Sequence, residues 1–247
     1  MVETKQITTP IKCYGQNFIT KRCTFAGDVQ DMSALYDNAA DTTAAFYNAD
    51  TTQPAVWQVA FKDKYGQTTS RTIDAVIFEN CTANSVAISC LNAQGETVAL
   101  GTFMLTKNNI LKLAPFTAQE ITFEFTCSKN YFEIGEVRCL KYMFDLKATS
   151  QISIVPNTKG GEYTAQDGRY YAWTEYLRPG VEIKVSNGNY AQYKALRALV
   201  QNNESITVIP FKELDFFVLE GLLDRDLSPD LNRFSGLVDY TLKVVSK

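Results

Sequence analysis

Residues 120–127, Glu-Ile-Thr-Phe-Glu-Phe-Thr-Cys, decide the fold class of the N-terminal part of the chain. Apolar and polar side chains alternate through this segment, with Ile121, Phe123 and Phe125 forming the apolar set. A period of two residues is typical of a β-strand with one buried face. Similar short segments, rich in β-branched and aromatic residues, predict further strands at 56–61, 72–79, 85–91, 97–103, 110–113 and 135–144. Strands at this spacing favour a β-sandwich.

The C-terminal part of the chain carries strand patterns and one helical pattern. The strand patterns are 151–155, 161–164, 169–176, 181–185, 205–210, 215–222 and 236–245. Between residues 189 and 202, Tyr193, Leu196 and Leu199 recur at helical spacing, and Asn187 or Asn189 can act as the N-cap. The sequence therefore predicts a mainly β chain, whose C-terminal part is an antiparallel sheet with one packing helix. A short helix or turn is also predicted at 32–40, and Trp57 is expected in the core.

The length of 247 residues allows one or two domains. We predict two, residues 1–146 and 147–247, because one strand pattern ends and another begins at 145–150 without a Gly-rich or Pro-rich linker. All six cysteines precede residue 140 and none forms a Cys-x-x-Cys pair. This distribution favours reduced thiols packed in a core over a zinc site or a disulfide framework.

The composition excludes several classes of function. The chain has no histidine, which removes Ser-His-Asp and Cys-His nucleophiles and histidine-ligated metal sites. A formal net charge of -3 gives no sign of nucleic-acid binding. No segment approaches the roughly 20 apolar residues of a membrane span, and the first residues lack the apolar segment of a secretory signal. Because phosphate-binding and dinucleotide motifs are also absent from the sequence, we expect a protein without enzymatic activity.

Four motifs in the N-terminal part belong together. They are an acidic turn at 35–43 (LYDNAADTT), a Trp-containing strand at 56–61 (VWQVAF), an Ile-Asp strand that ends in Asn at 73–80 (IDAVIFEN), and Gly-Glu-Val-Arg at 135–138. This combination resembles the discoidin-like, or coagulation-factor type C, galactose-binding jelly roll. The resemblance implies a jelly-roll β-sandwich for residues 1–146.

The same resemblance implies a structural calcium ion beside the acidic turn. The matching positions in this sequence are Asp37, Asp41, Thr43 and Glu136. Calcium takes six to eight oxygen ligands, which carboxylates, hydroxyls and backbone carbonyls can supply. The alternative is that these residues are solvated turn carboxylates and a glutamate on an edge strand.

Sugar binding is a further implication, since members of this fold use loop aromatics at one end of the sandwich. The candidates for such glycan-binding rings are Tyr14, Phe46, Tyr47 and Tyr65. The alternative is that these rings belong to the core or to a protein interface.

The order of elements in residues 147–247 resembles the domains of bacteriophage tail tube, distal-tail and baseplate proteins. These β-sandwich domains carry one helix, and the final strand here contains Gly236, Leu237, Tyr240 and Leu242. The resemblance implies other tail or baseplate subunits as partners, and a homo-oligomeric ring.

Aromatic residues are densest in the strand at 169–176. Tyr170, Tyr171, Trp173 and Tyr176 place large rings on both faces of that strand. Such a strand suits a subunit interface, where Tyr and Trp are enriched. The alternative is a core residue set on one face and partly exposed tyrosines on the other.

These observations give two principal hypotheses for the function. The leading one is a structural virion protein of a phage-like tail or baseplate, made in the host cytoplasm and acting by subunit assembly. The alternative is a carbohydrate-binding adhesin that contacts host surface glycans. A hydrolase is a third reading, because the chain is rich in Asp and Glu.

Overall fold

A computed structural model describes residues 10–37, 39, 42–48, 50–146, 152–154, 157–164, 169–178, 180–211, 217–224, 227, 229–231 and 236–246. For residues 154, 157–164, 170–178, 210–211, 217 and 231 the description covers the backbone alone.

The fold is mainly β with antiparallel sheets, which confirms the predicted class. In the first part of the chain the strands are β1 Ile11–Tyr14, β2 Thr24–Ala26, β3 Val29–Gln30, β4 Ala44–Tyr47, β5 Ala55–Ala60, β6 Arg71–Glu79, β7 Ser85–Leu91, β8 Thr97–Met104, β9 Asn109–Ala118, β10 Glu120–Thr126, β11 Tyr131–Ile134, β12 Glu136–Leu140 and β13 Tyr142–Leu146. A 3-10 helix at Met32–Leu35 occupies the segment predicted as a short helix or turn.

The remaining elements follow after residue 146. They are β14 Ile152–Ile154, β15 Asn157–Thr164, β16 Tyr170–Arg178, β17 Gly180–Asn189, helix α1 Tyr190–Asn202, β18 Ser205–Phe211, β19 Phe217–Leu223, β20 Asp230–Leu231 and β21 Leu237–Ser246. No helix among the described residues is both long and apolar enough to cross a membrane.

The chain divides into two compact units that differ from the predicted domains. Residues Asn17–Tyr142 form one unit, here the inserted unit, and Met1–Gln16 with Met143–Lys247 form the other, here the terminal unit. The predicted boundary between residues 146 and 147 is displaced because β1 and β13 are neighbours in the sheet of the terminal unit. The single strand predicted at 135–144 is in fact two, since β12 pairs with β6 in the inserted unit and β13 lies beside β1.

The inserted unit consists of three antiparallel sheets around one core. Their strand orders are β2-β5-β10-β7-β8, β11-β4-β3 and β12-β6-β9. The alternating residues of β10 pack inward as predicted, and Trp57 is fully buried with its ring 5.3 Å from that of Phe123. Phe46 and Phe132 stack at 4.7 Å across the β4 and β11 pair. This aromatic packing fixes which face of each sheet points to the core.

Asn17 fastens the first residues of the inserted unit to one of its last strands. Its Oδ1 accepts from the backbone N–H of Ile19 at 3.1 Å and of Cys139 at 3.0 Å, and its Nδ2 donates to the carbonyl of Val137 at 3.3 Å. The side chain is buried. An unpaired buried backbone group costs free energy of folding, so the hydrogen bonds of this amide stabilise the contact between the first and last segments of the unit.

The terminal unit consists of an eight-stranded sheet, a two-stranded sheet of β15 and β16, and one helix. The sheet order is β13-β1-β18-β19-β21-β17-β14, and β20 pairs with β21. Helix α1 buries Tyr193, Leu196 and Leu199, as the spacing predicted. Asn189 is the N-cap, with its Oδ1 accepting from the N–H of Ala191 at 2.7 Å. Asn203, in the left-handed conformation at φ 55°, ends the helix.

All six cysteines are buried, which confirms the predicted core packing of the thiols. Burial raises the pKa of Cys81 to about 11 and that of Cys139 well above its usual value. Because the thiolate is the reactive form, these thiols are packing groups in the folded protein.

The strand order yields a prediction about fragments. Residues 17–142 expressed alone should fold, whereas 147–247 alone should not, because it lacks β1 and β13 with the buried side chains of Ile11, Cys13 and Leu146. A chain that joins residues 1–16 to 143–247 through a short Gly-Ser linker restores those strands and should fold. Amide signal dispersion in NMR spectra measures each outcome. A well-dispersed spectrum from 147–247 alone would contradict the division.

The Asn17 contacts yield a second prediction. Asn17→Ala removes three hydrogen bonds of buried backbone groups and should lower the free energy of unfolding by about 2–4 kcal/mol. Asn84→Ala is the matched control, since Asn84 also joins distant segments by accepting from the N–H of Ser128 at 2.8 Å but is exposed to water. Urea unfolding measures both variants. Equal losses in the two variants would show that burial of the Asn17 amide is unimportant.

Candidate functional site

The three-stranded sheet β11-β4-β3 has one face on the core and one toward solvent. Phe46 and Phe132 are opposite each other and point inward. Because side chains alternate along a strand, their neighbours in sequence lie on the outer face. That outer face is called the Tyr47 face here, and it consists of Gln30, Ala45, Tyr47, Tyr131 and Glu133.

Two tyrosines form the centre of the Tyr47 face. Tyr47 and Tyr131 are directly opposite on β4 and β11, with ring centroids 5.2 Å apart and planes tilted by 58°. They are 51% and 40% exposed, so both rings offer surface to a ligand. The ladder continues beyond them, since the N–H of Asn48 donates to the carbonyl of Asn130 at 2.9 Å. The two rings are therefore carried on paired backbone.

Glu133 places a carboxylate beside the rings. The hydroxyl of Tyr131 donates to Oε1 of Glu133, and this hydrogen bond is the main cause that raises the pKa of Tyr131 to about 12. The phenol therefore stays protonated at neutral pH. The backbone of Glu133 is itself held by Thr82, whose Oγ1 accepts from the N–H of Glu133 at 2.8 Å and whose N–H donates to its carbonyl at 2.9 Å.

The next row of the same face is polar. Ala45 on the middle strand is the partner of both Gln30 on β3 and Glu133 on β11. A small methyl group thus lies between an amide and a carboxylate, directly beside the tyrosine pair. The arrangement combines aromatic surface with hydrogen-bond donors and acceptors, which is suitable for a ligand that has both apolar C–H faces and hydroxyl groups.

The four aromatic residues predicted to bind glycan differ in their exposure in the structure. The prediction of loop aromatics is wrong for Tyr14, Phe46 and Tyr47, which lie on strands. Tyr14 and Phe46 are buried, whereas Tyr47 and Tyr65 are exposed. Tyr14 lies on β1 of the terminal unit, and Phe46 packs in the core of the inserted unit. The strand β4 has only four residues, two of them alanine, and this weak pattern explains the error. Tyr65 lies in a turn, with Nζ of Lys64 5.0 Å from its ring centroid.

The residues matched to a calcium site are described only in part. Asp37 closes a turn, with Oδ1 accepting from the N–H of Ala39 at 2.9 Å and Oδ2 from Oγ1 of Thr42 at 2.7 Å. Thr43 is half-buried next to β4, and Asp41 lies outside the described residues. Across the described ranges, no three Asp, Glu or Cys side chains are grouped as a metal site.

Glu136, the fourth predicted calcium ligand, lies in a buried ion-pair cluster. Its Oε1 is 4.0 Å from a guanidinium nitrogen of Arg138, and Arg138 also pairs with Glu79. All three side chains are buried. The guanidinium of Arg138 thus supplies a positive charge beside both carboxylates. With Asp41 undescribed, calcium binding stays a prediction.

The aromatic strand predicted as an interface is β16, which pairs with β15 and has a register shift between Lys159 and Gly160. Its four aromatic residues are Tyr170, Tyr171, Trp173 and Tyr176, whose side chains lie outside the described part of the structure. Their role in assembly stays a prediction.

Sequence reasoning missed Tyr131 and Glu133. The segment Tyr-Phe-Glu-Ile at 131–134 alternates in the manner of a strand, but it has only four residues and precedes Gly135. The signal that could have found it is the alternation of Tyr131 and Glu133 with the apolar residues Phe132 and Ile134, which are both buried.

No protein-family model and no curated protein matches this chain. Solved structures do match part of it. The F5/8 type C domain of a Bacteroides fragilis protein has 10% identity and a TM-score of 0.43, covering 53% of this chain and 98% of that one. The family 32 carbohydrate-binding module of C. perfringens NanJ, solved in complex with galactose, has 12% identity and a TM-score of 0.41, covering 53% and 99%. The structure of SpGH29 has 14% identity and a TM-score of 0.44. The match covers 52% of this chain and 28% of SpGH29.

The Tyr131 hydroxyl provides a direct test of the site geometry. Glu133→Gln removes the negative charge beside the phenol and should lower the pKa of Tyr131 from about 12 toward the ordinary value of about 10. Near-ultraviolet absorbance of the phenolate follows this titration, and subtracting the signal of the Tyr131→Phe variant isolates the contribution of Tyr131. Circular dichroism should stay native throughout. Glu124→Gln, at an exposed glutamate of β10, is the control and should leave the midpoint unchanged. An unchanged midpoint in Glu133→Gln would mean that the hydrogen bond does not form in solution.

Proposed function

We propose that the inserted unit binds carbohydrate through the Tyr47 face. The observation that carries the proposal is the pair of exposed rings of Tyr47 and Tyr131, 5.2 Å apart, beside the carboxylate of Glu133. Sugar rings present C–H groups on one face and hydroxyls around the edge. The tyrosine rings match the C–H face, and Glu133 with Gln30 can accept from or donate to the hydroxyls.

The fixed position of these groups also supports binding. Tyr47 and Tyr131 are on paired strands, and the backbone of Glu133 is held on its other side by Thr82. Side chains carried on paired strands lose less conformational freedom when a ligand arrives than side chains on a loop. The hydrogen bond from Tyr131 to Glu133 orients both groups before the ligand is present.

The proposal is for binding without a chemical step. It corresponds to the second of the hypotheses drawn from the sequence, an adhesin-like module that contacts host glycans. The family 32 module of NanJ was solved with galactose, and galactose is therefore the first probe to use. The role of the chain as a virion component of a phage-like tail, and its assembly into a ring, stay predictions from the sequence.

The test is binding of the full chain to a glycan array, followed by titration calorimetry with the glycans that bind. Tyr47→Ala and Tyr131→Ala should each weaken the affinity roughly tenfold, since each removes one stacking ring. Tyr131→Phe keeps the ring and loses only the hydroxyl, so its affinity should fall less than that of Tyr131→Ala.

Tyr65→Ala is the matched control for these variants. Tyr65 is 76% exposed in a turn and is not part of the Tyr47 face, so its loss should leave glycan binding unchanged. Unchanged affinity in both Tyr47→Ala and Tyr131→Ala, with native circular dichroism, would remove this face as the binding site. Absence of binding to every glycan on the array would remove the proposed function.

A further inference from the structure

A cleft in the terminal unit is independent of the Tyr47 face. It has a volume of about 360 Å³ and lies where the end of β17 meets the start of helix α1. Its polar lining comes from Asp145, Asn187, Asn189 and Gln192, and Tyr190 is the aromatic residue at its edge. This volume is at the lower end of the range for small-molecule sites, roughly 300–1,000 Å³.

The strand that lines the cleft contains a β-bulge. Val185 is opposite Tyr240 and Gly188 is opposite Val238, so two residues of β17 face the single residue Asp239 of β21. Bulges redirect side chains and are over-represented next to functional sites. The bulge places Asn187 at the cleft rather than in the regular ladder.

Two contacts determine the shape of this bulge. Asn187 is in the left-handed conformation at φ 55°, and its N–H donates to Oδ1 of Asp239 at 2.5 Å. A Cβ atom on Gly188 would lie 2.9 Å from both the ring of Tyr240 and the side chain of Val185, so only glycine fits there. The packing around Gly188 and the hydrogen bond to Asp239 therefore determine the shape of the cleft wall.

The polar groups of the cleft are oriented by their own contacts. Oδ1 of Asn189 caps the helix, and within the described residues its Nδ2 has no partner and can donate to a ligand. Nε2 of Gln192 donates to the carbonyl of Asp145 at 3.2 Å, which leaves its Oε1 as an acceptor. The cleft thus offers both hydrogen-bond donors and acceptors.

Tyr190 provides the apolar part of the lining. Its ring is 42% exposed, lies 6.1 Å from that of Tyr193, and has Nζ of Lys194 at 4.7 Å from its centroid. These neighbours on the first helical turn hold the ring at the edge of the cleft. An exposed aromatic face beside amide groups suits the mixed surface of a sugar ring.

The two carboxylates at and beside the cleft already have partners. Oδ1 of Asp145 is 3.3 Å from Nζ of Lys12, and Asp239 accepts from the backbone of Asn187. A charged ligand would have to displace or compete with these pairs, whereas a neutral ligand would not.

We propose that this cleft binds a neutral, hydroxyl-rich molecule of the size of one or two sugar rings. Tyr190 contacts the C–H face, Nδ2 of Asn189 and the amide of Asn187 reach hydroxyl oxygens, and Oε1 of Gln192 accepts from a hydroxyl. The site shares no residue with the Tyr47 face, so the terminal unit binds its ligand whether or not the inserted unit binds one.

The test uses the full, isotope-labelled chain and NMR titration with galactose, glucose and N-acetylglucosamine at millimolar concentration. At least one of these sugars should shift the amide signals of residues 187–192 in a saturable way. N-acetylneuraminic acid, an anionic sugar, should not shift them. If none of the neutral sugars shifts these signals, or only the anionic one does, the proposal is overturned.

Three variants examine the individual groups without removing the helix cap. Asn189→Ser keeps an oxygen to cap the helix and removes Nδ2, Asn187→Gly keeps the left-handed backbone and removes the amide, and Tyr190→Ala removes the ring. Each should weaken binding roughly 5- to 10-fold. Equal affinity in all variants that retain native circular dichroism would overturn the assignment of the site.

Tyr47→Ala separates this proposal from the function proposed for the inserted unit. In that variant the shifts at residues 187–192 should persist with unchanged affinity. If Tyr47→Ala abolished both these shifts and binding at the Tyr47 face, the shifts at 187–192 would report binding at the Tyr47 face. That result would also overturn the proposal. Conversely, loss of array binding with intact shifts at 187–192 would leave the cleft as a separate site.

Discussion

The position of β1 beside β13 in one sheet is the constraint on which the rest of the chain depends. Residues 17–142 are inserted between these two strands in sequence, so the inserted segment begins and ends at adjacent strands of the terminal unit. Insertion of a domain requires its two ends to be close together. Within the inserted unit the same closure is made by the amide of Asn17, which joins the N–H of Ile19 to β12 through Val137 and Cys139. Each unit thus holds its two ends of the insertion close together by hydrogen bonds within that unit.

Strand register also determines which side chains form the two proposed sites. On β4 and β11, the pairing of Phe46 with Phe132 places Tyr47 and Tyr131 on the outer face, and a slip by one residue would exchange the two sets. The stacked rings of Phe46 and Phe132 in the core prevent that slip. On β17 the regular register is interrupted instead. The bulge after Val185 places Asn187 at the cleft. One site depends on a regular ladder and the other on a local departure from it.

The sequence predicted the strongly periodic elements well and the short ones poorly. The strand at Ser85–Leu91, the buried face of β10 and helix α1 with its Asn189 cap follow from local alternation or helical spacing. The strands β1, β4 and β11 have four residues each, too few for their alternation to stand out, and β1 and β11 pair with strands that are distant in sequence. The same cause displaced the domain boundary and hid Tyr131 and Glu133. Of the predicted sugar-binding residues, Tyr47 alone lies on the candidate face, because exposure of a ring depends on the register of its strand.

The openness of the Tyr47 face connects carbohydrate binding with the assembly that the sequence predicts. Two half-exposed rings and one row of polar groups bury little of a ligand, so a single copy can contribute only modest binding energy. Weak sites become effective when several are linked, since each later contact then forms at a high local concentration, and avidity can exceed single-site affinity by about 10²–10⁴. A ring of identical subunits would provide such linkage if its geometry allows the faces to reach one surface together. The two hypotheses for this chain are therefore compatible, because the predicted assembly would supply the copy number that the proposed shallow sugar-binding face would need.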